Sequence, residues 1–204
     1  RALAYNNEID YVAINIDQVS ENSIAQENQI IIASEILLED ICSHCGITKY
    51  DVKAKLKGYE LKGSIAKHPM ADLGYDYAVP LLDADYVTTE QGTGFVHIAP
   101  GHGPEDYELA HLKHGIEVPD TVNEDGTLME HLPIFAGFHV LRDNLKIAEI
   151  ISEHKGLIGI GNLTHSYPHS WRSHAPVIYR NTAQWFISME SDGLRNYALS
   201  ALKE

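Results

Sequence analysis

The stretch GTGFVHIAPGHGPEDYE, residues 92–108, decides the prediction of the fold because a strand, a turn and a helix start follow one another within it. Side chains alternate between the two faces of a strand, so a strand through GFVHIA would place His97 on one face with Phe95 and Ala99. The histidine then shares its face with one aromatic and one small neighbour. The pattern leaves open whether it is a core residue or a pocket residue.

The run PGHG at 100–103 indicates a sharp turn, in which glycines let backbone amides approach a ligand. The next run, PEDYELAHLKHG at 104–115, predicts a helix with proline at its first position, acids in its first turn and Gly115 at its end. Asp106 falls near the third helical position, beside unpaired amides, and should stay ionised there. This anion could hold a substrate ammonium or could act only as a cap. The residues therefore indicate a small pocket for an amine-bearing ligand.

Strand-like segments dominate the first hundred residues. They are short, rich in β-branched or aromatic residues and interrupted by glycine and proline, which is typical of a curved sheet or a small barrel. The segments are IDYVAINID (9–17), QIIIAS (29–34), YDVKAKLKG (50–58), YDYAVPLLDADYVTTE (75–90) and GTGFVHIAP (92–100). We therefore expect a β-rich α+β body with peripheral helices.

Two further helices are predicted around this body. The run ASEILLEDICSHC suggests a short helix with Ser34 as its N-cap and Glu35 in its first turn. The run RDNLKIAEIISEHKG (142–156) carries an apolar stripe that should cover one side of the sheet. The stripe consists of Leu145, Ala148 and Ile151 with Ile147 and Ile150. After residue 164 the sequence becomes rich in aromatic residues, histidine and arginine, and we place a boundary there.

Composition limits the classes of function. A chain of 204 residues with 44% hydrophobic content can bury a core, and its net charge of −14 argues against tight independent binding of nucleic acid. No apolar run reaches the roughly 20 residues needed to cross a bilayer, so we expect no membrane association and a cytoplasmic location. The chain opens on Arg1 and ends in the helix-like ALSALKE, which we interpret as an excised fragment of a longer protein.

A CxxC pair raises the possibility of a zinc site. Cys42 and Cys45 would need a second ligand pair, for which His165 and His169 are the candidates. Burial is the simpler interpretation of this pair, because an amphipathic helix would place Cys42 among apolar residues. Those neighbours would be Ile36 and Leu38.

A metal held by His97, His102 and Asp106 is chemically possible, but no fourth ligand is evident, and we expect no metal. The chain also shows neither a Ser-His-Asp order nor a Cys-His pair that would suggest a covalent nucleophile.

The quoted stretch resembles the editing-domain signature of isoleucyl-tRNA synthetases, which are class I aminoacyl-tRNA synthetases. NEDGTL (123–128), HSYPHSWR (165–172) and NTAQWFISM (181–189) are similar to further segments of that family in the same order, so the resemblance covers nearly the whole chain. It implies connective peptide 1, a small Greek-key-like β-barrel with peripheral helices inserted into a Rossmann catalytic domain. The editing domain would span 1–164, and 165–204 would be a return segment toward the catalytic domain.

The resemblance implies hydrolysis of valine attached by mistake to isoleucine tRNA, and also of valyl-adenylate. A binding pocket rejects a ligand smaller by one methylene by only about 10–200-fold, the isoleucine–valine pair of this family being the known example, so a second and smaller sieve is needed. The implied partners are isoleucine tRNA and valyl-tRNA or valyl-adenylate. Editing would need no cofactor, whereas ATP with Mg²⁺ would serve the synthetic site of the parent ligase.

Residue roles also follow from the resemblance. Asp106 would hold the α-ammonium of the amino acid, and His97 would line the side-chain pocket and exclude isoleucine. A water placed against the ester carbonyl would then attack it, with orientation supplying much of the effect. Trp185 would be a remnant of the synthetic site. Further substrate-binding residues would be Gly92, Thr93, Gly94, Phe95, Gly101 and His102.

One departure from the family concerns a threonine-rich strand that the family places immediately before the position of Arg1. The strand would line the other half of the pocket, so we expect weak or no deacylase activity from these 204 residues alone. A non-catalytic binding or spacer module and a zinc-binding structural module remain alternatives. Ser170 stands where some relatives have cysteine, which weakens the zinc interpretation.

Overall fold

The computed structural model describes residues 1–162, 164 and 166–202 and shows a β-rich α+β fold, as predicted. Within these residues seven strands form two sheets. The strands are β1 (Ala2–Tyr5), β2 (Asp10–Val19), β3 (Ile30–Ser34), β4 (Ile47–Lys57), β5 (Ile65–Lys67), β6 (Ala78–Asp83) and β7 (Val96–Ile98). Three predicted segments contain β3, β6 and β7, and two others cover most of β2 and β4, whereas β1 and β5 were not predicted.

The larger sheet has the order β5-β6-β1-β7 and carries the quoted stretch at its edge. Strand β1 pairs in parallel with β6 and antiparallel with β7, so that Leu3 lies opposite both Leu81 and His97. The smaller sheet is antiparallel with the order β3-β2-β4. The first strand of the chain therefore positions the strand that bears His97.

One part of the core packs β1, β6 and β7 against the segment 107–113, through Ala2, Leu82, Ile98 and Leu109, and the rest lies on both faces of β2. Val12, Ile14 and Ile16 pack with helix α1 (Leu38–Cys45) on one face. Tyr11 packs on the other face with Tyr5 and Leu61. Its hydroxyl donates to the carbonyl of Gly94 at 2.7 Å, which ties the small sheet to the turn before β7.

Helix α1 begins later than predicted, and Ser34 is not its cap. Ser34 ends β3 and its amide donates to the carbonyl of Thr93 at 2.8 Å, so it belongs to the sheet, and its buried hydroxyl has no partner within the described residues. Glu35 precedes the helix and pairs with Lys55, while the first-turn acids are Glu39 and Asp40. Cys42 is buried beside Leu38 as expected. The other expected neighbour, Ile36, is 74% exposed because it precedes the helix.

The predicted helix at 104–115 is present but changes its winding. It starts as α2 (Pro104–Asp106), with Pro104 in its first turn, and continues as a π-helix over Tyr107–Lys113. Gly115 follows it with φ +66°, the conformation that favours glycine at a helix end. Short 3₁₀ turns occur at Gly58–Leu61, Ala71–Leu73 and Ser191–Gly193.

Helix α3 (Asn144–Glu153) covers less of the protein than predicted. None of its residues is fully buried, and Leu145, which should belong to the apolar stripe, is 76% exposed. Ile147, Ala148, Ile150 and Ile151 are half-buried, so only a narrow face of the helix packs. The prediction that this helix covers a sheet is therefore wrong, because it makes no extensive contact with either sheet in the described structure.

The described residues after 164 form little regular structure before helix α4 (Leu194–Ala201). An isolated bridge joins His169 to Pro176. Trp185 is fully exposed. None of the helices in the described ranges combines the length and apolar character needed to cross a bilayer.

Candidate active site

A cavity of about 400 Å³ lies where β7 ends, a volume within the range of roughly 300–1,000 Å³ common for ligand sites. His97 lines it together with the 99–102 turn, and Gly101 and His102 are part of this wall. The opposite walls come from distant parts of the chain. They are Arg1, Gly74, Tyr75, Tyr77, Pro119, Thr121, His131, Leu132 and Pro133.

Asp106 is fixed to the strand end from which the turn departs. Its Oδ2 accepts a hydrogen bond from the amide of Ala99 at 2.8 Å, and the carbonyl of Ala99 accepts one from the amide of His102 at 2.9 Å. Gly103, the N-cap position of α2, has no side chain that could cap the helix. Within the described residues, the Asp106 carboxylate therefore accepts its hydrogen bond from the end of β7, and this bond holds the 99–103 turn closed beside the cavity.

His97 presents a neutral ring to the cavity. Its side chain remains accessible to solvent there, and its ring nitrogens have no hydrogen-bond partner within the described residues. Desolvation by the surrounding protein lowers the pKa of His97 below the ordinary value of 6.5, although the Asp106 carboxylate opposes this shift. The ring is therefore uncharged at neutral pH.

His102 uses both ring nitrogens on the protein itself. Nδ1 lies 2.9 Å from the carbonyl oxygen of Tyr179, and Nε2 lies 2.9 Å from Oγ1 of Thr121. Because a carbonyl oxygen can only accept, Nδ1 donates to Tyr179, and in the tautomer protonated only at Nδ1 the Nε2 atom accepts from the threonine hydroxyl. Both ring nitrogens are thus engaged within the protein, while His102 itself lines the cavity.

An aromatic cluster that the sequence did not predict forms one wall of the cavity. The ring of Tyr75 stacks on His68 with centroids 5.0 Å apart, and its hydroxyl donates to the carbonyl of Pro133 at 2.7 Å. The guanidinium of Arg1 lies 4.4 Å from the centre of the Tyr77 ring. Burial lowers the pKa of His68 and raises those of both tyrosines, so all three rings are neutral near pH 7. In the sequence, this wall is indicated only by the two tyrosines, Tyr75 and Tyr77, which lie two positions apart.

The other predicted substrate-binding residues lie outside the lining of this cavity. Gly92 and Thr93 line a separate cavity of about 490 Å³ next to α1. Gly94 is buried against Ser34 and accepts the Tyr11 hydrogen bond. Phe95 packs on the same tyrosine with ring centroids 4.7 Å apart. The structure therefore brings three of the predicted residues, His97, Gly101 and His102, to the first cavity, with Asp106 braced behind its turn.

The CxxC pair lies apart from the cavity that His97 lines. Both cysteines are free, and burial raises the pKa of each thiol. No group of three or more His, Cys, Asp or Glu side chains in the described ranges is placed to hold a metal ion. His169 is described, but His165, the other candidate zinc ligand, lies outside the described residues.

Comparisons with known proteins show which sequences and folds the chain is similar to. No family model matches the chain. It is 48% identical over its whole length to the isoleucine–tRNA ligase of Pelagibacter ubique (strain HTCC1062). It is 40% identical over 214 aligned residues, with 99% of the chain covered, to the ligase of the same name from Gluconobacter oxydans (strain 621H). The chain spans 22% of the length of each of these curated relatives.

The fold is similar to the crystal structure of GlLeuRS-CP1, a CP1 domain of a leucyl-tRNA synthetase. The TM-score is 0.60, with 80% of this chain and 78% of that chain covered, and the sequence identity is 13%. At this identity the likeness concerns the fold alone. The chain is therefore similar along its length to a segment of isoleucine–tRNA ligases, and it has the fold of a CP1 domain.

Proposed function

We propose that this segment is the editing module of an isoleucine–tRNA ligase and hydrolyses valine from isoleucine tRNA, and valyl-adenylate as well. The parent enzyme would attach isoleucine to tRNA with ATP and Mg²⁺ bound in another part of its chain. The observation that supports the proposal is the cavity beside the 99–103 turn, which His97 lines, together with the Asp106 carboxylate, which is bonded to Ala99 in the wall of that cavity.

In this proposal Asp106 recognises the α-ammonium of the substrate. The bond from Ala99 fixes the carboxylate without neutralising its charge. A hydrogen bond between charged partners contributes about 1.5–3 kcal/mol, which corresponds to about 10- to 150-fold in binding. The ammonium would hold the ester next to the turn, where the backbone could orient a water against the carbonyl carbon.

His97 would set the size of amino acid that the cavity accepts. Its ring lines the cavity and is neutral, so it occupies volume without repelling the nearby ammonium. One methylene contributes only about 1–3 kcal/mol to binding in an apolar pocket, so a single pocket discriminates poorly between isoleucine and valine. A second pocket that admits valine and excludes isoleucine selects in the opposite sense, and the two selectivities multiply.

An Asp106→Asn variant of the full-length ligase tests the amine contact. The amide oxygen of asparagine can still accept from Ala99, so the turn is kept and only the charge is lost. We expect hydrolysis of valyl-tRNA to fall about 10- to 100-fold, as the loss of one charge-assisted bond implies. Glu105→Gln, at the exposed neighbouring position, serves as the control. Hydrolysis within twofold of the wild-type rate would favour a non-catalytic binding or spacer module instead.

A His97→Ala variant tests the size limit. Removing the ring enlarges the cavity, so hydrolysis of isoleucyl-tRNA should rise about tenfold relative to that of valyl-tRNA. Val96→Ala provides the matched control, because Val96 lies on the opposite face of the same strand. A ratio of the two rates that stays at its wild-type value in His97→Ala would remove His97 from the specificity role.

A further inference from the structure

Three polar contacts join residues 179–181 to His102, which lines the cavity, and to two residues near it, Asp120 and Glu124. The carbonyl of Tyr179 accepts from Nδ1 of His102 at 2.9 Å. The side-chain amide of Asn181 donates to Oδ1 of Asp120 at 2.9 Å. Arg180 lies 3.8 Å from Glu124. Nearby, Gly126 lies so close to Ile178 that an added Cβ would come within 3.1 Å of its Cδ1. This part of the C-terminal region is therefore seated against the cavity.

The contact made by His102 differs from the other two because one ring holds two partners: its bond to Tyr179 is exposed, and its bond to Thr121 is partly buried. Glu124 is 95% exposed on its side chain, so its pair with Arg180 contributes little. Asp120 and Asn181 are both exposed. His102 is half-buried and holds two partners at once, Tyr179 and Thr121, which lie 77 and 19 residues away along the chain.

His102 is also linked to Asp106 through a single residue. The carbonyl of Ala99 accepts from the amide of His102, while the amide of Ala99 donates to the carboxylate of Asp106. The same turn thus connects the C-terminal region on one side to the carboxylate on the other. A displacement of the imidazole would move the backbone that fixes the carboxylate.

We propose that His102 is a positioning residue, which holds residues 179–181 and Thr121 against the 99–103 turn and thereby fixes the shape of the cavity and the place of Asp106. The contact itself is independent of any activity. Its catalytic consequence rests on the editing function proposed above, in which Asp106 touches the substrate and His102 acts through it.

Hydrogen exchange in the full-length ligase tests the contact without reference to activity. In His102→Ala we expect the backbone amide of Val177, which donates to the carbonyl of Pro168 at 3.1 Å, to exchange about tenfold faster, because the bond that holds the nearby Tyr179 carbonyl is lost. His102→Asn should largely restore protection, since an asparagine amide nitrogen can occupy the position of Nδ1. His114→Ala, a change at an exposed histidine after the π-helix, serves as the control. Exchange in His102→Ala equal to that of the wild type would overturn the proposal.

Deacylation kinetics of the same variants test the consequence. In His102→Ala we expect kcat for valyl-tRNA hydrolysis to fall about tenfold per folded molecule, together with a smaller preference for valyl- over isoleucyl-tRNA, because a loosened cavity holds its substrate less well. Thr121→Val should act in the same direction and Thr121→Ser should not. A merely structural role would lower the melting temperature while leaving kcat per folded molecule and the preference unchanged, and that result would contradict the positioning role. Absence of hydrolysis in the wild type would instead contradict the editing function, and the exchange experiment would still decide the contact.

Discussion

The residues up to Val122 and the residues after it are stabilised in different ways. Every hydrophobic side chain that is buried in the described part of the chain lies between Ala2 and Val122. After Val122, individual hydrogen bonds fix the backbone, such as the bond from the Tyr167 hydroxyl to the carbonyl of Val177 at 2.9 Å. Large apolar side chains are exposed there, including Trp171, Trp185, Phe186 and Ile187.

This difference predicts which substitutions should change the stability of each region. Burial contributes about 25 cal/mol per Å² of apolar surface, so a strand with several buried side chains is stabilised by many additive contacts. A single hydrogen bond contributes only about 0.5–1.5 kcal/mol net. The first region should therefore respond strongly to loss of apolar volume, and the second should respond weakly to it.

The largest expected effect is that of Ile14→Ala. Ile14 is fully buried between β2 and α1, so its truncation leaves a cavity and should lower the free energy of unfolding by about 2–5 kcal/mol. Ile187→Ala, at a side chain 79% exposed, should change it by less than about 0.5 kcal/mol. Urea denaturation of the two variants measures both values. Equal losses of unfolding free energy in the two variants would show that the two regions do not differ in how apolar burial stabilises them.

The next effect separates two glycines of the GTG motif. Gly92 and Gly94 both have φ +82°, but an added Cβ meets nothing within 4 Å at Gly92 and would lie 2.7 Å from the Cβ of Ser34 at Gly94. Gly92→Ala should therefore cost only the backbone strain, about 1–2 kcal/mol. Gly94→Ala should cost about 1–3 kcal/mol more because the core must also shift. Denaturant midpoints would show the order, and a reversed order would contradict the packing at Ser34.

The smallest expected effect is a pH dependence at the cavity, where the two regions meet. Because the pKa values of His68 and His97 are lowered in the folded state, the unfolded chain binds more protons as the pH falls below about 6.5. Their contribution to stability is fully present above that pH and decreases as the pH falls through the folded pKa values. Urea midpoints at pH 7.5 and 5.5 should differ less for the His68→Gln, His97→Gln double variant than for the wild type. An unchanged difference would mean that neither imidazole is desolvated.

Local patterns were sufficient for the parts of the molecule that depend on neighbours in sequence. The helix start at Pro104, its end before Gly115 and the placement of Asp106 in its first turn follow from residues a few positions apart. The resemblance of the same stretch to a family is confirmed by the curated relatives. The π-helical winding at Tyr107–Lys113 could not be predicted, because the end signals of α- and π-helices do not distinguish them.

Features that depend on distant pairing were missed. Strand β1 is only four residues long and is recognisable only because it pairs with β6 and β7, far along the chain. The wall formed by Tyr75 and Tyr77 and the partners of His102 depend on the same long-range folding. Sequence proximity was also misleading, because Gly92 and Thr93 lie near His97 in sequence but line another cavity.

The position of the tryptophans makes the two regions optically distinct. The chain has two tryptophans, Trp171 and Trp185, and they are 79% and 100% exposed. The core instead contains Tyr5 and Tyr11, both almost fully buried. Intrinsic fluorescence excited at the red edge of the absorption band therefore reports only on the C-terminal region, whereas the near-ultraviolet dichroism of buried tyrosines reports mainly on the β-rich body. A single sample thus carries two spectroscopic signals that weight the two regions differently.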